Sequence, residues 1–181
     1  MCKKIFFGII IIFGTIIIFE TILTGCKMIH DDCDTCTQFD GKITVTVEGN
    51  EKLLENIAKV YAICRVNKLE EVISNADFGN KGFTMQLPAT PSEKYLEKPN
   101  VSKVSDNNAQ IVRIVKHFKA YDADGEHIGN IVFNEELWYA DRIVRLSLNG
   151  QCFYSLKKGW NNVAGYGTGT VDNIKGNFNS L

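Results

Sequence analysis

Short segments in which apolar and polar residues alternate recur along most of the chain. The clearest covers residues 43–48, where Ile43 and Val45 are each followed by a threonine. Because successive side chains of a strand point to opposite faces of a sheet, this alternation predicts a strand with one buried face. Similar patterns predict further strands over residues 58–66, 72–77, 83–87, 111–121, 127–133, 142–148, 151–156 and 160–166.

The predicted strands are separated by residues that favour tight turns. Glycine and asparagine tolerate positive φ, and they concentrate in segments 78–82, 122–125, 149–150 and 157–159. Residues 50–57 form a helical turn or a loop, and residues 88–109, which contain all three prolines, form a long connection. Many short strands with almost no helical periodicity predict an all-β domain, an antiparallel β-sandwich over residues 41–166.

The N-terminus has the organisation of an export signal. Lys3 and Lys4 precede an uncharged stretch over residues 5–19 that consists mostly of Ile and Phe. A transmembrane helix needs about 20 apolar residues, and Glu20 ends this stretch earlier. The pattern therefore predicts a signal peptide over residues 1–25 rather than a membrane span.

A short motif follows the apolar stretch. Leu23-Thr24-Gly25-Cys26 resembles the lipobox of bacterial lipoproteins. The resemblance implies cleavage before Cys26 and acylation of that residue, and each buried methylene adds about 0.8 kcal/mol to the anchoring. We therefore expect a lipid-anchored protein of the cell envelope, in the outer membrane, on its periplasmic face or at the cell surface. Glu20 is unusual so near a cleavage site, so a plain secretory signal and an uncleaved anchor stay open as alternatives.

Residues 26–40 are polar and lack periodicity, which predicts a tether between the lipid and the domain. The tether contains Cys33-Asp34-Thr35-Cys36. A redox function would require the pair to open a helix after a strand, and a zinc site would require two more ligands at suitable spacing. We therefore expect a local disulfide between Cys33 and Cys36, or two free thiols, and no metal site.

Two further cysteines, Cys64 and Cys152, lie on predicted strands within apolar runs. They can pair across the sandwich only if their Cα atoms lie about 4.4–6.8 Å apart. Otherwise they are buried thiols that pack like small apolar side chains. The sequence supplies no distance, so we expect free thiols and keep the disulfide as the alternative.

Charge and motifs argue against nucleic-acid binding and against catalysis. The chain has 20 Lys and Arg and 21 Asp and Glu, with the basic residues scattered, so no nucleic-acid partner is expected. Adjacent acids such as Glu135 and Glu136 face opposite ways on a strand, whereas acid–base catalysis needs groups that converge. Segment 122–126 alternates carboxylates as a calcium loop does, but a hairpin turn explains the same residues. We predict neither an enzyme nor a cofactor site.

Aromatic residues cluster late in the chain, at Phe133, Trp138, Tyr139, Phe153, Tyr154, Trp160 and Tyr166. Most are expected in the core, where large aromatic side chains usually pack. Exposed rings can also stack on sugars. The pair Trp138 and Tyr139, beside Glu135 and Glu136, is the best candidate for an exposed ligand-binding edge.

Several motifs resemble segments of small Bacteroides-type lipoproteins of the Bacteroidota. The main one is Gly82-Phe83-Thr84-Met85-Gln86-Leu87-Pro88. Others follow in the family's order: Ala120-Tyr121-Asp122, Ile128-Gly129, Tyr139-Ala140-Asp141-Arg142 and Ser155-Leu156-Lys157-Lys158-Gly159-Trp160-Asn161. The resemblance implies a transthyretin-like, carboxypeptidase-regulatory-like sandwich, close to the immunoglobulin type, in a cell-surface context. It transfers no catalytic residues.

Two functions follow from a tethered domain without convergent catalytic groups. The first is a non-catalytic binding or adhesion module for a glycan or a protein. The alternative is a structural or accessory subunit of an envelope or fimbria-like assembly. In that case residues 167–181, which we predict to be a flexible tail rich in Gly and Asn, would pair with a sheet edge of a neighbour.

Overall fold

A computed structural model describes residues 11–12, 15–16, 36–147, 154–163 and 171–181 of the chain. The chain divides into two units, residues 1–30 and 31–181. In the first unit, strands β1 (Ile11–Ile12) and β2 (Thr15–Ile16) pair antiparallel. Cys26 and Cys33 lie outside the described residues, so the signal peptide, the lipidation of Cys26 and the Cys33–Cys36 disulfide stay predictions.

The regular secondary structure described in the second unit is almost entirely β, which confirms the all-β prediction. The strands are β3 (Cys36–Phe39), β4 (Lys42–Glu48), β5 (Lys59–Val66), β6 (Leu69–Asp77), β7 (Gly82–Gln86), β8 (Lys103–Val104), β9 (Ile111–Tyr121), β10 (His127–Val132), β11 (Glu136–Ala140), β12 (Val144–Ser147), β13 (Tyr154–Leu156), β14 (Gly159–Val163) and β15 (Ile174–Ser180). One short helix, α1 (Glu51–Leu54), and two 3₁₀ turns, Glu93–Tyr95 and Val171–Asn173, complete the described elements.

Strand β9 organises the large sheet because it pairs with three other strands. It pairs with β5, with β10 through residues 117–121 and with β11 through residues 111–113. From β10 the sheet continues through β15 and β4 to β7, and from β11 it continues through β14 to β3. The sheet is curled, and Ser74 of β6 donates a hydrogen bond to the Gln86 carbonyl oxygen of β7 at 2.6 Å.

Two hydrophobic clusters fill the domain. The larger lies within the curled sheet, where the Phe118 ring stacks on Phe133 at 4.5 Å between centroids and meets Phe83 edge-on at 5.1 Å. The smaller contains Trp138 of β11 and Leu146 of β12. It packs the small sheet β13-β12-β8 against the part of the large sheet formed by β9, β11 and β14.

The C-terminal segment differs from its prediction. Residues 167–181 were predicted to be a flexible tail, but strand β15 lies inside the sheet, antiparallel to β10 and parallel to β4. The prediction is therefore wrong for residues 171–181, and the sheet is mixed rather than wholly antiparallel. The physical reason is that Ile174, Gly176 and Phe178 alternate on one face, with glycine where a Cβ would lie 2.5 Å from Ile131 Cγ2.

The predicted tether also ends earlier than expected. It was placed over residues 26–40, but β3 already pairs with β14 from Val163↔Cys36 to Trp160↔Phe39. Phe39 packs against the larger cluster, with its ring centroid 6.5 Å from that of Trp160. Burial of this aromatic side chain, at the end of a polar segment, stabilises the pairing of β3 with the domain.

Candidate ligand-binding groove

A groove of about 520 Å³ opens on the surface beside β9. We call it the basic groove. Five of the side chains that line it are cationic, two are aromatic and one is acidic: Arg65, Lys68, Lys98, Arg113 and Lys116, Tyr95 and Trp138, and Glu97. The chain as a whole has a net charge of −1, so positive charge is concentrated here. Such a concentration favours an anionic ligand.

The floor of the basic groove is strand β9. Val112 and Ile114 are buried while Arg113 between them is exposed, as the alternation of a half-buried strand requires. One wall of the groove is the long connection before β9. Glu97 exchanges two backbone hydrogen bonds with Ile111, at 2.9 and 3.0 Å, and the Tyr95 hydroxyl donates to the Val72 carbonyl oxygen at 3.0 Å. These bonds fix the wall to β9 and β6.

A third side of the groove is the turn between β5 and β6. Its two central residues, Asn67 and Lys68, have φ of 50° and 70°, and Val66 and Leu69 pair on either side. The Asn67 backbone N–H donates to Glu97 Oε1 at 2.7 Å, which joins the turn to the connection. A lysine in the left-handed region costs about 1 kcal/mol relative to glycine. The chain therefore keeps a cation at a position where its backbone favours glycine.

Arg113 is held by its two neighbours on β11. Its guanidinium carbon lies 4.4 Å from the centroid of the Trp138 ring, with which it is paired across the strands. A terminal nitrogen lies 3.8 Å from Glu136 Oε2, which is too long for a hydrogen bond. Lys116 takes the other oxygen of Glu136 at 2.7 Å. The guanidinium is thus positioned by stacking and charge, and half of the side chain is exposed.

The remaining cations of the groove differ in how far they are neutralised. Arg65 lies 3.5 Å from Glu70, which also receives Lys119 at 2.8 Å. The hydrogen bond from Lys119 lowers the pKa of Glu70, so that carboxyl is ionised. Within the described part of the chain, Lys68 and Lys98 form no ion pair. Both are exposed, and their charges face solvent or a ligand.

The predicted ligand-binding edge is wrong as an exposed surface. Trp138, Tyr139 and Glu135 are only 1%, 4% and 8% exposed. The reason is that both faces of β11 are covered: Trp138 packs in the smaller cluster and Tyr139 in the larger one. Two of the four residues still contribute to the groove, because they contact its cations from below the surface. Trp138 supports Arg113, and Glu136 holds Arg113 and Lys116.

Sequence reasoning missed the cations of the basic groove. Arg113 and Lys116 lie on a correctly predicted strand, and the polar position of Arg113 between buried Val112 and Ile114 marked an outward face. Lys68 gave no such signal, because a turn of Asn and Lys lacks the glycine that identifies most tight hairpins. The groove brings these residues together only through the pairing of β5 with β9.

Other predicted features lie away from the groove. The segment 122–126 is a turn, as expected: Asp122 Oδ1 accepts from the backbone N–H of Asp124 at 3.0 Å and of Glu126 at 2.8 Å. Cys36 opens β3 and is partly buried. Cys64 is a buried free thiol, and burial raises its pKa to about 11, whereas Cys152 lies outside the described residues.

Two features, a metal-binding group of side chains and a membrane-spanning helix, are absent from the described ranges. No group of three or more His, Cys, Asp or Glu side chains there is arranged to hold a metal ion. Likewise, none of the helices described has the length and apolar character to cross a membrane. Comparisons with protein-family models, with curated proteins and with solved structures found no match to the chain.

Proposed function

We propose that the protein is a lipid-anchored, non-catalytic binding module of the cell envelope that takes a glycan or protein ligand in the basic groove. The observation that supports this most directly is the state of the groove cations. Arg113 is fixed over Trp138 without a strong hydrogen bond to protein, and Lys68 and Lys98 have no partner in the described residues. Ligand sites combine a largely apolar lining with a few such polar groups that are available to the ligand.

The acids of the groove support a binding role rather than a catalytic one. Glu97 accepts from Asn67, and Glu136 is engaged by Lys116 and Arg113. A general base must be within reach of a substrate proton and able to accept it. Both carboxylates are instead committed to holding the site together. The resemblance to small lipoproteins, which transfers no catalytic residues, agrees with this role.

The cellular setting is proposed from the N-terminal sequence. The apolar stretch and Leu23-Thr24-Gly25-Cys26 support export, cleavage and acylation at Cys26, as in the Bacteroidota lipoproteins that the chain resembles. Mass spectrometry of the mature N-terminus tests this. We expect a peptide that begins at an acylated Cys26, and an unmodified Cys26 would contradict the proposal. Substitution of Cys26 by Ser should release the protein from the membrane fraction.

The alternative, a structural subunit that donates its C-terminal segment, loses support from the fold. The segment expected to pair with a neighbour already occupies its own sheet, between β10 and β4. For the same segment to be donated, the seven residues of β15 would have to leave the sheet, in which Ile174 is fully buried. We therefore favour the binding module.

A charge-reversal pair tests the binding role. The full chain, purified in detergent, is probed on a glycan array and with envelope protein extracts. We expect Lys68→Glu with Lys98→Glu to abolish the binding that the natural chain shows. The matched control is Lys42→Glu with Lys175→Glu, two exposed lysines on β4 and β15 outside the groove. Equal binding by both double variants would contradict a ligand site in the basic groove.

A further inference from the structure

We propose that the ligand of the basic groove is an acidic carbohydrate, recognised through a sugar carboxylate that pairs with Arg113. This inference rests on the proposed function and specifies its ligand class. Neither aromatic ring of the groove offers a free stacking platform. Arg113 lies over the Trp138 ring at 4.4 Å, and Lys94 lies over the Tyr95 ring at 4.5 Å. Recognition of a neutral sugar relies on such faces, so the groove is built to select charge.

Arg113 has a geometry that suits a carboxylate ligand. A guanidinium presents its N–H donors in a planar fork that matches a carboxylate. Stacking on Trp138 orients the group, and Trp138 is itself buried in the smaller cluster. The 3.8 Å separation from Glu136 keeps the charge in place without using the donors in a hydrogen bond. Arg113 is therefore preorganised for a carboxylate ligand.

Lys68 lies in a turn with positive φ and lines the groove. The turn keeps lysine at a φ of 70°, although glycine is more stable there. A second turn, Asn80 and Lys81 between β6 and β7, has the same residue pair at φ of 52° and 59°. There the lysine is engaged by Glu51. Lys68 has no such partner among the described residues, and it lines the groove, so its charge is available to a bound anion.

The form of the groove favours a carbohydrate over an acidic peptide. An extended peptide usually binds by adding a strand to a free sheet edge. In the groove, one edge of β9 pairs with β11 through residues 111–113, and the other pairs with Glu97 at Ile111 and with Cys64 at Ile114, so the free stretches are too short for an added strand. A volume of about 520 Å³ lies within the range of compact small-molecule sites and suits a short oligosaccharide.

Titration calorimetry with the full chain in detergent micelles tests the inference. The probes are an oligomer of galacturonic acid, its methyl ester and a polyglutamate peptide. The ester keeps the sugar rings and removes the charge. We expect the acid to bind about tenfold more tightly than the ester, because a hydrogen-bonded charge is lost. The affinity for the acid should fall as salt is raised. Arg113→Gln should weaken binding of the acid about tenfold.

The two Asn-Lys turns supply a matched pair of variants. Lys68→Gly relieves the backbone and removes a groove cation, so we expect a higher melting temperature and about threefold weaker binding of the acid. Lys81→Gly relieves the equivalent backbone outside the groove but also removes the ion pair with Glu51, so we expect a smaller rise in melting temperature and unchanged binding. A variant that is more stable yet binds more weakly cannot be explained by misfolding.

The outcomes separate this inference from the function on which it rests. Equal affinity for acid and ester, or binding of polyglutamate alone, would contradict an acidic carbohydrate as the ligand. The groove would still be a ligand-binding site. Failure of every probe to bind would overturn the inference, and the charge-reversal pair would then decide the proposed function independently. Binding of the acid that neither Arg113→Gln nor Lys68→Gly weakens would overturn both.

Discussion

Gly176 and Ile131 are so close that a Cβ on the glycine would lie 2.5 Å from Cγ2 of the isoleucine. Ile131 is fully buried and Gly176 lies in β15, so neither can move aside without disturbing the sheet. We predict that Gly176→Ala lowers the free energy of unfolding by about 1–3 kcal/mol through overpacking. Urea unfolding followed by circular dichroism measures it. Gly79→Ala is the control, because nothing lies within 4 Å of a Cβ there, and equal losses would contradict the prediction.

Removal of β15 should prevent the domain from folding. The strand joins β10 to β4, and its deletion leaves unpaired backbone along two strands that frame the larger cluster. We expect a chain that ends at residue 173 to lose cooperative urea unfolding. A chain that lacks only Leu181, whose side chain is exposed, should unfold cooperatively. Cooperative unfolding of the longer deletion would show that β15 is an accessory strand.

The thiol of Cys64 should be unreactive in the folded protein. Burial raises its pKa to about 11, so almost none is thiolate at pH 8, and its side chain is inaccessible. We expect iodoacetamide at pH 8 to leave Cys64 unmodified in the native protein and to alkylate it in urea, as read by peptide mass mapping. Because the folded state holds the proton more strongly, stability should fall as pH rises from 9 towards 11. Rapid native alkylation of Cys64 would contradict this.

His117 should make the domain less stable in mild acid. Burial lowers its pKa, so the unfolded chain takes up the proton first as pH falls. The free energy of unfolding should therefore be full above about pH 6.5 and decline below it. Urea unfolding between pH 7.5 and about 5 measures the decline, and His117→Gln should make it shallower. An identical pH dependence in the two proteins would exclude His117 as the cause.

Strands with one solvent-exposed face could be predicted from the sequence, whereas β11, which is buried on both faces, could not. The alternation in residues 43–48 and 111–121 reappears as β4 and β9. By contrast, β11 contains Leu137 to Ala140 without a polar residue and is covered on both sides. A continuous apolar run shows no alternation of apolar and polar residues, so neither the strand nor its burial on both faces could be predicted from the sequence.

The composition of β15 concealed it for a different reason. Its glycine and asparagines have low strand propensity, yet the neighbours of Gly176 require the absence of a side chain. Such a requirement belongs to the partner strands and not to the segment itself. The basic groove was hidden in the same way. Its cations come from β5, the turn between β5 and β6, the connection before β9 and β9 itself, and only long-range pairing brings them together.

The position of β15 also affects when the domain can fold during synthesis. Residues 174–180 pair with β4, which lies near the start of the domain, and with β10. While residues 174–180 are still inside the ribosome, both strands lack a neighbour and the larger cluster is open on that side. The larger cluster can therefore close only after these residues have left the ribosome, so the domain folds as one unit and not strand by strand as it is synthesised.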